Sequence, residues 1–290
     1  MLTVKEILRK VRKIELKTKG LSSMVFSGTY KTNFKGRGMS FSEVREYQYG
    51  DDVRSIDWNV TARTNEPHVK VFEEERELTF MLLIDVSGSS FFGANVQPKN
   101  EFIAEIAATI AFSAVSNNDK VGVIFFSDTI EKYLPPKKGQ NHILRIIREL
   151  LFIQPKHKGT NIGHALKYLT NLVKRRCTAF LISDFMSKDY EGALKVAASR
   201  HDVIGVHVYD KRETEMPNVG LMPVVDTETG RVQWVDTGSA KVRDTYKERF
   251  IDNMRYFGDA FSKMGADTMS IATHESYIKA MQKFFKERAK

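Results

Sequence analysis

The sequence predicts an α/β fold built on a doubly wound, mainly parallel sheet. Three observations carry that expectation. From about residue 76 onward, apolar runs such as ELTFMLLIDVS, KVGVIFF and RCTAFLIS recur, each too uniformly apolar for a strand with one wet face. Between them lie segments with apolar residues at helical spacing, such as NEFIAEIAATIAFSAV (100–115) and NHILRIIRELLF (141–152). Strand and helix alternate, which is the pattern of parallel crossover units.

In order, residues 1–19 read as a helix stopped by Gly20, with Ile7, Leu8, Val11 and Ile14 close to one apolar stripe. Residues 21–75 are broken by Gly28, Gly36, Gly38 and Gly50, which predicts strands and turns instead of long helices. Buried strands follow at 77–87 and 120–128, with TIEKYLPP returning as an edge, and again at 176–185 and 201–210. Helices are expected at 100–115, 141–152, 161–175 and in DYEGALKVAASR. MPVVDTETGRVQWVD reads as a hairpin around Thr229-Gly230. A long helix over 240–264, the strand TMSIATH and a basic helix complete the chain. The expected organisation is thus a helix and strand-rich segment over 1–75 and an α/β domain over 76–290. Without a Gly/Ser linker between them, the first part is expected to pack on the second.

Hydrophobic content of 42% suffices for a packed core and excludes a disordered chain. The single cysteine, Cys177, rules out an intramolecular disulfide and suits a reducing, cytoplasmic setting. It is expected as a buried thiol. The start lacks the apolar stretch of a secretory signal, and no apolar run approaches the ~20 residues of a membrane helix. The net charge of +9 is concentrated: residues 1–37 hold ten Lys/Arg against two Glu. Such an arm could meet an anionic membrane surface or nucleic acid. Its apolar stripe favours a docked helix with a wet basic face.

Ligands in open α/β sheets bind beyond the carboxyl ends of the strands. The strand that opens the α/β part ends in DVSGSS, which puts Asp85, Ser87 and Ser89 on alternate positions at that end. KGTNIG places Thr160 in a loop before a helix, and LISDF places Asp184 at another strand end. Two carboxylates and three hydroxyls would converge on one rim. Such hard oxygen donors, without His or Cys, suit Mg²⁺ (or Mn²⁺) and not Zn²⁺. The competing expectation is that the hydroxyls merely cap turns.

Asp85-x-Ser87-x-Ser89, then Thr160, then Asp184, resembles the metal-ion-dependent adhesion site of von Willebrand factor A-type domains. The resemblance covers 76 to about 275. It implies that Asp85, Ser87 and Ser89 coordinate the ion, that Thr160 joins in the ligand-bound state, and that Asp184 acts mostly through water. Two positions depart from the common pattern: Ser90 stands where many members have Met, and Phe185 where many have Gly. Upstream, FKGRGMSFSEVREYQYGDDVRSIDWNVTARTNEPHVKVFEEERE closely resembles the bacterial family known as domain of unknown function 58. That resemblance implies an association with MoxR-type AAA+ ATPases.

EVREYQYGDDVRSIDW (43–58) combines Asp51, Asp52 and Asp57 with Tyr47, Tyr49 and Trp58. The nearby Arg45, Arg54 and Arg63 could neutralise the acids, so the segment is expected to be a buried ion-pair clamp. An interaction surface and a catalytic acidic cluster are the alternatives, and no GxxxxGK[ST] loop accompanies the latter. The expectation for the whole chain is a cytoplasmic, non-enzymatic adaptor that uses Mg²⁺ to bind a partner's Asp or Glu carboxylate. A metal-assisted hydrolase using Asp85 and Asp184 with His164 as base is one alternative. A binder of anionic surfaces through residues 1–37 is the other.

Overall fold

The computed structural model describes residues 9, 11–18, 39–74, 78–91, 98–226 and 230–288. The chain divides into two compact units, one of residues 1–30 with 79–290 and one of residues 31–78. This differs from a division at 75, because the N-terminal helix groups with the α/β part.

The larger unit is organised by six strands: β3 (Thr79–Asp85), β4 (Lys120–Phe126), β5 (Ile130–Lys137), β6 (Thr178–Ser183), β7 (Asp202–Tyr209) and β10 (Asp267–Ala272). They lie in the order β10-β7-β6-β3-β4-β5. All neighbours are parallel except β5, which pairs antiparallel with β4 at the edge. This is the doubly wound, mainly parallel sheet expected from the sequence. The chain enters at β3 and winds first to one side through β4, then to the other through β6, β7 and β10. The order therefore reverses between β3 and β6, and a crevice opens at their carboxyl ends.

The uniform apolarity of the strands has its reason in burial on both faces. Met81 and Leu83 of β3 join a core with α5 (Ile162–Leu172), α6 (Glu191–Arg200) and α8 (Ala240–Lys263). On the other face Phe80 stacks on Phe180, which meets Phe285 of α9 (Tyr277–Arg288). There α3 (Lys99–Ser116) is buried along most of its length, and Phe102 meets Tyr277 edge-on at 5.6 Å. Next to it, α4 (Gln140–Phe152) buries His142, Ile143, Ile146, Ile147 and Leu150, the period of an amphipathic helix.

At Gly205 on β7 a Cβ would lie 2.7 Å from Phe257 and 2.8 Å from Phe261, both on α8. Glycine is what lets the two rings approach the strand this closely. Gly205→Ala is expected to cost about 1–3 kcal/mol through overpacking, measured by urea denaturation.

The N-terminal helix is described over residues 11–18. Val11, Ile14 and Thr18 are buried, and Lys17 pairs with the buried Glu105 of α3 while Glu15 accepts from Gln140. This is a docked helix with a wet face, as the stripe implied; Ile7 and Leu8 lie outside the described residues. The hairpin is present as β8 (Leu221–Val225) and β9 (Val232–Asp236), with Val225 opposite Val232; Thr229 lies outside the described residues. None of the described helices is long and apolar enough to cross a membrane.

The smaller unit pairs β1 (Met39–Glu46) antiparallel with β2 (His68–Glu74) and carries a short helix, α2 (Trp58–Thr64). Here the clamp expectation is corrected. Arg45 does hold Asp51 through two 2.8 Å hydrogen bonds, but the pair is only half-buried. Asp52 and Asp57 are helix caps: Asp52 accepts from the Arg54 backbone N–H, and Asp57 from those of Asn59 and Val60. Asp57 also faces Lys70 at 3.4 Å. Arg54 and Arg63 are exposed, Tyr49 is fully exposed and Trp58 is 67% exposed. The carboxylates satisfy backbone donors next to them in sequence, so burial and cross-pairing are not needed. Asp57→Ala is expected to fray α2 and lower the melting temperature by a few degrees. Arg54→Ala should leave it unchanged, and an equal loss in both variants would restore the clamp.

Candidate metal centre

The crevice between β3 and β6 is built from the last residues of both strands. The parallel register sets Ile84 beside Ile182, so Asp85 follows level with Ser183. The Ser183 hydroxyl donates to Asp85 Oδ2 at 2.6 Å, and the Ser87 backbone N–H donates to Oδ1 at 2.9 Å. The turn after β3 brings the Ser87 and Ser89 hydroxyls within 3.1 Å of each other. Ser87 also bonds the Asp85 carboxylate, and Ser89 bonds Asp184. Ser90 turns back, its hydroxyl donating to the Asp85 carbonyl at 2.9 Å. That accounts for a serine here without a ligand role.

Asp85, Ser87, Ser89 and Asp184 are therefore brought together. The loop bearing Thr160 is tied to the same turn by the Gly88 N–H, which donates to the Lys158 carbonyl at 2.9 Å. Glu131 at the start of β5 fixes that loop from behind, accepting from the backbone N–H groups of Lys156 and His157. The Asn161 N–H closes the arrangement on the Ser127 carbonyl. Thr160 is half-buried within it.

Asp184 precedes Phe185, whose φ of 52° is the left-handed conformation that glycine adopts freely. The departure from glycine at this position is thus tolerated in backbone terms. The strain is held by the ring, which is fully buried 4.1 Å from Phe257 and 5.6 Å from Phe261. The Phe185 N–H donates to Ser183 Oγ at 3.1 Å.

Three participants were not foreseen from the sequence: Ser183, Lys99 and Glu213. Lys99 opens α3 and is 1% exposed. Its ammonium lies 3.3 Å from Asp184 Oδ2 and 2.9 Å from Glu213 Oε1. Glu213 sits on α7 (Lys211–Thr214), where it completes a capping box with Asp210. A cation at the N-terminus of a buried helix opposes the helix dipole, and that mismatch was the one available signal.

The charges are unequal in their surroundings. Burial, then the negative charge of Asp184, pushes the Asp85 carboxyl up to about 6. Burial would raise Asp184 as well, but the Lys99 ammonium and the Ser89 hydroxyl bring it below the ordinary carboxylate value. Burial would lower Lys99, and Asp184 and Glu213 reverse that. His207, buried behind them among aromatic rings, is pushed down to about 3 by burial and stays neutral at physiological pH.

Among the described residues no three His, Cys, Asp or Glu side chains group as metal ligands. An ion here would rest on two carboxylates, the hydroxyls and water. The donor set fits a small hard cation: its members are all oxygens, and both carboxylates, Asp85 and Asp184, are buried. His164, the candidate base, is exposed and has its Nδ1 3.3 Å from the Asp128 carbonyl. Cys177 is buried beside His201 and pushed by burial up to about 12, which makes it an inert thiol.

A cleft of about 1280 Å³ begins at Ser89 and Asp184 and runs past Met186, Met216 and Tyr246 to Met222 on the hairpin. The wall therefore joins the polar crevice to adaptable methionines.

Comparison with known proteins adds the following. The family described as "Protein of unknown function DUF58" matches residues 43–255. The uncharacterized protein Rv1480 of Mycobacterium tuberculosis is 29% identical over 281 residues, covering 96% of this chain and 88% of that one. The uncharacterized protein YeaD of Bacillus subtilis is 22% identical, covering 61% of this chain and 42% of that one. Among solved structures, BatB of Bacteroides thetaiotaomicron is similar with a TM-score of 0.45 and 18% identity, covering 73% of this chain and 98% of that one. A von Willebrand factor type A protein of Catenulispora acidiphila gives 0.38 and 11%, covering 77% and 43%.

Proposed function

This chain belongs to the DUF58 family, and we propose that it is a non-enzymatic, cytoplasmic adaptor that binds a partner protein through a divalent ion at the β3–β6 crevice. The observation that carries this reading is the convergence of Asp85, Ser87, Ser89 and Asp184 at the mouth of a long cleft. Asp85 and Asp184 would supply the charge that holds Mg²⁺, and Ser87 and Ser89 neutral oxygens. When bound, the ion supplies a positive charge to which a partner's Asp or Glu can be directed. The partner is proposed to be a MoxR-type ATPase, with the cleft receiving apolar side chains that flank the partner's carboxylate.

Binding is favoured over hydrolysis by the placement of His164, which faces a backbone carbonyl and has no hydrogen bond to Asp85 or Asp184. The basic arm is proposed to have a docking role, supported by the buried Val11, Ile14 and Thr18.

Thr160 separates a static ion site from a switching one. As a neutral group it adds little to the attraction for Mg²⁺. If it joins the ion only when a partner carboxylate arrives, its loss weakens mainly the bound state. Thr160→Ala is expected to leave Mg²⁺ affinity within about threefold and to lower affinity for a MoxR-type ATPase of the same organism by about tenfold or more. Calorimetry on the same preparation measures both. Equal losses would make the site a structural metal site and remove the adhesion-type mechanism.

A further inference from the structure

The cation already present in the crevice is Lys99, and its setting is a rigid one. Both oxygens of Glu213 are committed, Oε1 to the Lys99 ammonium and Oε2 to the Asp210 backbone N–H. Asp210 is itself held by the Thr273 hydroxyl at 2.9 Å and accepts from the Arg212 N–H. Lys99 is anchored at the first residue of a long buried helix, behind Pro98. With 1% of the residue exposed, the ammonium is held away from water. It lies beside Asp184 on the side of Oδ2, while Oδ1 accepts from the Met186 N–H at 3.3 Å.

We propose that Lys99 is a resident counter-cation that sets the affinity of the crevice for divalent ions, holding it low enough for the ion to exchange. The proposal rests on the ion-binding reading of Asp85, Ser87, Ser89 and Asp184. Two physical effects of the lysine oppose each other. Its positive charge repels an incoming cation and takes up part of Asp184's capacity. Its hydrogen bond also positions Asp184, which would help binding. Positioning is supplied twice more, by the Ser89 hydroxyl and the Met186 N–H, whereas among the described residues no second cation pairs with Asp184. Charge acts strongly in a buried site, where water screens little. The repulsive effect therefore wins, and removing the lysine tightens ion binding. The same bridge ties the charge of the crevice to α7 and so to the wall of the cleft.

The test measures Mn²⁺ binding by electron paramagnetic resonance and Mg²⁺ binding by calorimetry at pH 8. The proteins are the wild type, Lys99→Met, and Lys99→Met/Glu213→Gln, in which Glu213 is not left charged and unmatched. Circular dichroism establishes which variants are folded, and the double variant carries the test if the single one is not. The expected result is an ion affinity raised by roughly tenfold or more in the folded variant. A wild type without measurable affinity and a variant with clear binding also supports the proposal. Affinity that is unchanged or weaker in the variants, with a wild type that binds, overturns the role of Lys99 and leaves the ion site standing. No binding in any of the three overturns the ion site itself.

Discussion

Asp85→Asn is expected to make the ion-free protein more stable at pH 7.5 and no more stable at pH 4. Burial and the charge of Asp184 lift the Asp85 carboxyl from an ordinary 3.8 to about 6. A carboxyl whose value is raised on folding binds its proton more tightly in the folded chain. Its contribution to stability is full below pH 3.8 and is lost as pH climbs through 6. Well above that, a buried carboxylate opposes folding by on the order of 3 kcal/mol. Asparagine keeps the shape and an acceptor for the Ser87 N–H and is neutral at every pH. Melting temperatures of both proteins in EDTA should therefore diverge as pH rises, the variant gaining up to about 2–3 kcal/mol. A variant destabilised equally at both pH values would mean that Asp85 is a structural hydrogen-bond hub without a charge penalty. A stability cost retained at a buried acid is the mark of a residue kept for something other than folding.

Lys99→Met should have the largest effect in the opposite direction. The ammonium is buried between Asp184 at 3.3 Å and Glu213 at 2.9 Å. Its removal leaves the buried Asp184 and the partly buried Glu213 without the cation between them. Breaking a buried pair from one side costs about 3–5 kcal/mol, mainly through the charge left unmatched. Part of the loss is recoverable. Burial already raises Glu213 above the ordinary carboxylate value, so protonation at lower pH relieves the strain, and Lys99→Met/Glu213→Gln should regain a substantial share at pH 7.5. Urea unfolding of the three proteins measures this. A single variant within about 1 kcal/mol of wild type would contradict the description of Lys99 as a dry, paired cation.

The residues that ended apolar runs were legible from the sequence. Asp85 and Asp184 could be placed at strand ends because TFMLLI and TAFLIS allow no other element of that length, and the sheet order brings the two strands side by side. The loop of Thr160 could be assigned to the same rim for the same reason. Lys99 and Glu213 could not. Their contacts join positions 85 and 114 residues apart, and no local pattern encodes such pairing. Phe185 stands where the resemblance implies glycine. The missing information was tertiary: three buried rings hold it in a left-handed backbone. The stretch around Asp51 shows the reverse error. Its charges were read as pairing across the fold, while Asp52 and Asp57 each bond the backbone N–H two residues ahead. Helix α2 was missed with them, although Asp57 at its start and Asn65 in a left-handed cap at its end are its proper signals.

The central claim is that the carboxylates ending β3 and β6 form one divalent-ion site. Calorimetric titration of Mg²⁺ into the wild type and into Asp85→Asn, at pH 8 and side by side, tests it most directly. The account predicts a single site per chain in the wild type and none in a variant that circular dichroism shows to be folded. The same site in both proteins, or no site in the wild type together with none in Lys99→Met/Glu213→Gln, would contradict it.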